Sequence, residues 1–209
     1  MVKKIYSVIC LSWLDLARVM IAGIILGLVV GRIVAFRPSH IDRLRPRFWR
    51  AAMRRMKCRD WVRLITIALW AAAASLIISA VIGGLLQRAE VPIYSPEEFP
   101  FTAIERDYPW LVLVAVNLLP IFEEWVFRGI FIDEFVRWRG SKLLAVVLST
   151  IIFSLFHLSN PGTYFGYVIP LMPAGLLLGF CYIKTGLGGA IIAHNTYNTF
   201  QVIIGVLMR

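Results

Sequence analysis

Glu123, Glu124 and Arg128 fall within six residues of one another in "NLLPIFEEWVFRGIFIDEF", a run whose body otherwise reads as a membrane-spanning helix. An ionised side chain at mid-bilayer costs ~2.5–3.5 kcal/mol on insertion scales, so three of them need a reason. Glu124 and Arg128 are four apart, on one helix face, and the spacing predicts an ion pair. Glu123 is then left over. It lies about 100° round the helix from Glu124, so the two carboxylates are expected to face different partners.

The chain has three histidines, and two of them, His157 and His194, fall in apolar stretches, while His40 lies in a basic loop. With a turn centred at Gly140, Glu123 is 17 residues before it and His157 is 17 after it. Two antiparallel helices would bring these side chains to one level, ~25 Å from the turn. In "HNTYN", His194 and Asn198 share a helix face. The predicted set is one carboxylate, two imidazoles and one carboxamide around a shared space.

Such a set suits hydrolysis by an activated water. Glu123 can act as general base, His157 can orient or help deprotonate the water, and His194 with Asn198 can donate to the oxyanion. The sequence contains no GxSxG and no HExxH, so neither the common serine nucleophile nor the common zinc-protease helix is present. A zinc site with Glu123, His157 and His194 as ligands is the alternative use of the same residues. Two further classes also keep polar groups inside a bundle. One is a non-catalytic immunity or scaffold protein, and the other is a proton-coupled carrier. Against a carrier, the chain shows no inverted repeat, although Pro170 and Pro173 in "VIPLMPAG" are expected to kink their helix.

The elements that must position these groups are helices in a membrane. The 209 residues are 59% hydrophobic with a mean hydropathy of +0.77, above the roughly 45–50% apolar share of soluble domains. The expected fold is all-α, a single integral-membrane domain over 1–209 built as a polytopic transmembrane helix bundle. Six spans are expected, near Leu16 to Phe36, Trp61 to Leu86, Trp110 to Phe135, Leu143 to Leu158, Tyr167 to Ile183 and Leu187 to Leu207. The basic start of the chain is expected to lead into a retained first helix.

The net charge of +10 is concentrated in residues 37–60, where nine Lys/Arg face two Asp. A short basic loop of this kind is held on the cytoplasmic side and attracted to anionic headgroups, which explains the charge without nucleic acid. Phe48, Trp49, Ala52, Met53 and Met56 recur there at helical spacing, so the loop should include a segment lying on the membrane surface. The loop 87–109, acidic and carrying three prolines, would then lie on the opposite side. Membrane lipids are therefore the expected partners, in a bacterial or archaeal plasma membrane. Gly23, Gly27 and Gly31 recur every four residues, a pattern for close helix packing that also allows a homodimer. Three cysteines, none in a CxxC pair, argue against a thiolate metal site.

The motif residues, "EEWVFR", "FSLFH" and "HNTYN", occur in the order and helical context of the CPBP family, which the chain resembles. That family of intramembrane endopeptidases includes the CAAX prenyl proteases and the bacterial Abi-type proteins, with EExxxR, FxxxH and HxxxN-type motifs. The resemblance runs over residues 111–200. It implies cleavage near the C-terminus of a membrane-associated peptide or protein, with Glu123 as base and His157, His194 and Asn198 beside it. Glu124, Arg128 and Phe153 would support them. Members are described both as metalloproteases and as metal-independent, glutamate-dependent proteases; the second, with no cofactor, is the expectation here. A prenylated tail, a C-terminal sorting helix and a bacteriocin-type peptide are all open as substrates.

Overall fold

Residues 13–94 and 108–207 are described by a computed structural model of the chain. Most of the acidic loop, residues 95–107, and the first twelve residues lie outside it. The described chain runs through α1 (Trp13–Phe36), the short α2 (Ser39–Asp42), α3 (Pro46–Arg55) and α4 (Cys58–Arg88). After the acidic loop come α5 (Pro109–Glu124), a π-helical segment (Trp125–Ile132) and α6 (Asp133–Arg139), which together form one long rod. α7 (Lys142–Phe156) and α8 (Val168–Leu207) complete the bundle.

Five of these stretches are long and apolar enough to cross a membrane: Trp13–Phe36, Cys58–Arg88, Pro109–Arg139, Lys142–Ser159 and Phe165–Leu207. The last is 43 residues, ~65 Å as a straight helix and about twice a hydrocarbon core. It is broken at Gly186, whose φ of 75° and ψ of −170° are open to glycine and costly for other residues. Its two limbs, 168–185 and 187–207, fold back on each other. Ala174 packs in one cluster with Tyr197, and Leu178 in another with Ala193; both pairings are symmetric about the break. The fifth and sixth expected spans are therefore the two limbs of α8.

Small residues set how closely the helices approach. Ala68, Ala71, Ala72 and Ser75 line one side of α4 and are buried against both limbs of α8. On α8, a Cβ at Gly175 would come within 2.8 Å of Thr150, and one at Gly179 within 2.7 Å of Val146, so these glycines seat α8 on α7. The glycines of α1 behave differently: nothing lies within 4 Å of a Cβ built at Gly23, Gly27 or Gly31. No neighbour within the described residues uses that stripe. α1 docks instead through Leu26, Val30, Ile33 and Val34, against the aromatic cluster of Phe127, Phe131 and Phe153.

The turn that sets the site's level forms at the expected place. Gly140, at φ 72°, ends α6 in a left-handed cap, and the Ser141 hydroxyl accepts from the Leu144 N–H to start α7. α3 is the surface helix expected within the basic loop, with Pro46 in its first turn and no residue buried. Gly179→Leu is predicted to lower stability by about 1–3 kcal/mol through overpacking. Gly27→Leu, on the open stripe, should leave thermal unfolding in detergent unchanged, and equal shifts for the two would contradict this packing.

Candidate active site

α5 is irregular just where the carboxylates leave it. Pro120 has no N–H, which strips the Val116 carbonyl of its helical donor. The Asn198 Nδ2 takes that place at 3.3 Å, while Asn195 Nδ2 donates to the Asn117 carbonyl at 3.1 Å. The last limb of α8 is thus bonded to α5 by its asparagines. Asn117 itself donates to Thr199 Oγ1 at 3.0 Å and to the Leu113 carbonyl at 2.8 Å.

Beyond Glu124 the helix widens into π geometry, a feature frequent at functional sites. Two carbonyls of this segment gain partners from elsewhere: Phe127 O accepts from Ser149 Oγ, and Gly129 O from Arg43. Arg43 also reaches Asp133 and, at 3.2 Å, Tyr182 Oη. Its pKa is raised: burial works against the charge, and Tyr182 and Asp133 outweigh it. Beside it, Trp125 Nε1 donates to His40 O at 2.8 Å, and the buried His40 ring meets Glu134 at 2.9 Å. The start of the basic loop therefore clamps the segment that carries Arg128, a role its composition did not suggest.

The expected ion pair is present and fully buried. Arg128 Nη1 lies 2.9 Å from Glu124 Oε1, with the two side chains 1% and 0% exposed. Arg128 also donates to Gly175 O at 3.3 Å, and its guanidinium stacks 4.3 Å above the Phe153 ring. Glu124 does more than balance Arg128, because the same Oε1 accepts from His194 Nδ1 at 2.8 Å.

Here the expectation that the two glutamates face different partners is corrected. Glu123 Oε2 lies 3.8 Å from Nε2 of the same His194. An imidazole has a nitrogen on each edge, so carboxylates leaving the helix in different directions can meet opposite sides of one ring. Glu124 fixes a proton on Nδ1, and Nε2 is the atom left for chemistry.

His157 is held differently. Its Nδ1 donates to the Phe153 carbonyl at 2.8 Å, which leaves a lone pair on Nε2 in the neutral ring. The Phe153 ring packs 4.5 Å from His157 and 5.9 Å from His194, so it separates the two imidazoles and supports both.

Glu123, His157, His194 and Asn198 together line a cavity of ≈ 260 Å³. Tyr167, Asn160 and Gln201 add further polar groups to its wall. Sequence reasoning did not single these out, since a lone polar residue in an apolar stretch carries no spacing signal. Glu123, with its side chain 27% exposed, is the carboxylate open to the cavity, and Glu124 is sealed behind it. Among the described residues no three His, Cys, Asp or Glu side chains are grouped closely enough to hold a metal ion. Nε2 is the nitrogen left open on both His157 and His194, since each Nδ1 is bonded to a carbonyl or a carboxylate.

Residues 105–200, which carry all three motifs, match the family profile "Type II CAAX prenyl endopeptidase Rce1-like". That stretch is similar to this family. The chain is also 28% identical over 101 residues to the UPF0177 protein YbdI of Lactococcus lactis subsp. lactis (strain IL1403). The matched stretch is 47% of this chain and 51% of YbdI, so the chain spans about half the length of this relative. No solved structure matches the chain. With five helices long and apolar enough to cross a membrane, the chain is an integral membrane protein.

Replacing Arg128 by Met would strand Glu124 as a buried charge, and a loss of about 3–5 kcal/mol is expected. Glu123→Gln removes a charge from a cavity wall and should cost far less. Thermal unfolding of the two variants side by side in detergent checks this; similar losses would deny the division of labour between the glutamates.

Proposed function

We propose that the chain is an intramembrane endopeptidase that hydrolyses a peptide bond near the C-terminus of a membrane-associated substrate, with Glu123 as general base on water. One observation carries this reading: Glu123, His157, His194 and Asn198, from three separate helices, wall one cavity inside an apolar bundle. The Rce1-like match over residues 105–200 supports the reaction class.

In the proposed reaction a water sits between the Glu123 carboxylate and the free Nε2 of His157, which accepts one of its hydrogens and orients it. Glu123 takes the other proton as the water oxygen bonds to the substrate carbonyl carbon. The carbonyl becomes an oxyanion. Asn198 donates only one of its two amide hydrogens to Val116, so the second serves the oxyanion. His194 serves it through Nε2 when both ring nitrogens carry a proton, since Nδ1 is committed to Glu124. Collapse of the intermediate breaks the C–N bond, and the proton held on Glu123 passes to the leaving amine. No step needs a metal ion.

The basic loop 37–60 is placed on the cytoplasmic side of a bacterial or archaeal plasma membrane, where its arginines meet anionic headgroups. The substrate would approach within or along the lipid.

Purified protein should cleave C-terminal membrane-peptide substrates. Glu123→Gln is expected to reduce turnover by roughly 10²–10⁴-fold, and Asn198→Ala by roughly 10²–10³-fold with substrate binding retained. Rates measured on folded variants decide the matter. Full cleavage by Glu123→Gln would end this mechanism, and recovery of a chelated sample only on adding zinc would replace it with a metal-dependent one.

A further inference from the structure

A second cavity, of ≈ 660 Å³, lies at the Gly186 end of the bundle, away from the catalytic groups. Its volume is within the roughly 300–1,000 Å³ that accommodates a ligand-sized molecule. The floor is built from Leu64, Ile121, Leu187 and Ile191, and the apolar face of α3 forms the roof. Trp49 packs onto the bundle there: its indole lies 3.3 Å from where a Cβ would sit at Gly188, so a side chain at that position would crowd the ring.

Most of the cavity's polar side chains are already committed. Thr185 Oγ1 donates to Cys181 O at 2.7 Å, Tyr182 Oη donates to Asp133 at 2.8 Å, and Arg43 is bound to Asp133 and Gly129 O. The Trp49 and Trp61 indoles offer one donor each, and the other side chains of the lining are apolar. An apolar chain is the occupant that fits. Met53 and Trp61, 48% and 37% exposed, stand at the lining where lipid can reach it.

The charge around the roof is one-sided. On a 3.6-residue repeat, Arg50 and Arg55 border the face formed by Phe48, Trp49, Ala52, Met53 and Met56. Both are exposed, and among the described residues neither forms an ion pair, unlike Arg45 and Arg47, which share Asp42. An apolar chain in the bilayer gains little by moving into an apolar cavity, so selectivity must come from these cations.

We propose that this cavity binds one anionic phospholipid, with an acyl chain beneath α3 and the phosphate held by the arginines that border it. The proposal is independent of the protease reading, because none of these residues lines the catalytic cavity. The bound lipid would fasten α3, and through Arg43 the clamp on the π-helical segment, to the membrane surface.

Native mass spectrometry of the purified full chain, titrated in detergent with phosphatidylglycerol or with phosphatidylcholine of the same chains, tests the proposal. One phosphatidylglycerol per chain is expected, preferred by about tenfold or more. Arg50→Gln combined with Arg55→Gln should abolish the preference, and Ala52→Trp, which fills the cavity and keeps the charge, should abolish retention. Should Ala52→Trp fail to fold, Ile191→Trp fills the same space from the opposite wall. Equal retention of the two lipids would overturn the proposal, as would undiminished retention by the folded cavity-filling variant. Binding of a lipid-modified peptide where phosphatidylglycerol does not bind would assign the cavity to substrate and overturn it as well.

Discussion

Two opposite charges, Glu124 and Arg128, lie fully buried in a bundle that faces lipid, and neither has water to fall back on. In such surroundings an ion pair depends on further partners for the donors and acceptors it brings with it. Arg128 spends its second nitrogen on the Gly175 carbonyl and rests on the face of Phe153. Glu124 shares Oε1 between Arg128 and His194, while its Oε2 is buried without a hydrogen-bond partner among the described residues. These demands reach α7 and both limbs of α8, so satisfying one buried pair fixes the register of three helices against the rod of α5 and the π-helical segment. They also explain why position 175 is glycine. Any Cβ there would collide with Thr150 and push away the carbonyl that Arg128 needs.

Irregular helix geometry provides the rest of the site. A regular helix uses one lone pair of each carbonyl for its own bonds, so a carbonyl without a helical donor is the stronger attachment point for a neighbour inside a membrane. Pro120 frees Val116 O, and the π-helical segment offers Phe127 O and Gly129 O; each is taken by a side chain from another element. The departures from α geometry therefore act as attachment points on both sides of the Glu123–Glu124 pair. Their cost is recovered in helix-to-helix hydrogen bonds, and the two glutamates sit where the rod is held most firmly.

Counting residues from Gly140 was enough to bring Glu123 and His157 toward one cavity, because the turn is marked by glycine. The i, i+4 spacing was enough to pair Glu124 with Arg128. The convergence of both glutamates on His194 was hidden, since a helical wheel gives the direction of Cα–Cβ and says nothing of a ring that accepts contacts on two edges. The clamp of His40, Arg43 and Trp125 was hidden for another reason: Arg43 meets Gly129 across 86 positions, and no local pattern encodes a bond of that reach. The glycine stripe of α1 shows the converse. It has the spacing of a packing motif, but the close approach within the chain is made by Gly175 and Gly179.

The Rce1-like segment contains every proposed catalytic group, yet it does not cover its own surfaces. Leu178, Cys181 and Ala193 are buried under the alanine face of α4, and Phe127, Phe131 and Phe153 are packed by α1. Gly129 O finds its donor on Arg43. All three supports lie outside residues 105–200. Without them the hairpin of α8 would present small residues, rather than large apolar ones, to the lipid, and the π-helical segment would lose the bond that Arg43 makes to Gly129 O. The first half of the chain, which has no catalytic motif, acts as the brace that keeps Nε2 of His194 facing Glu123.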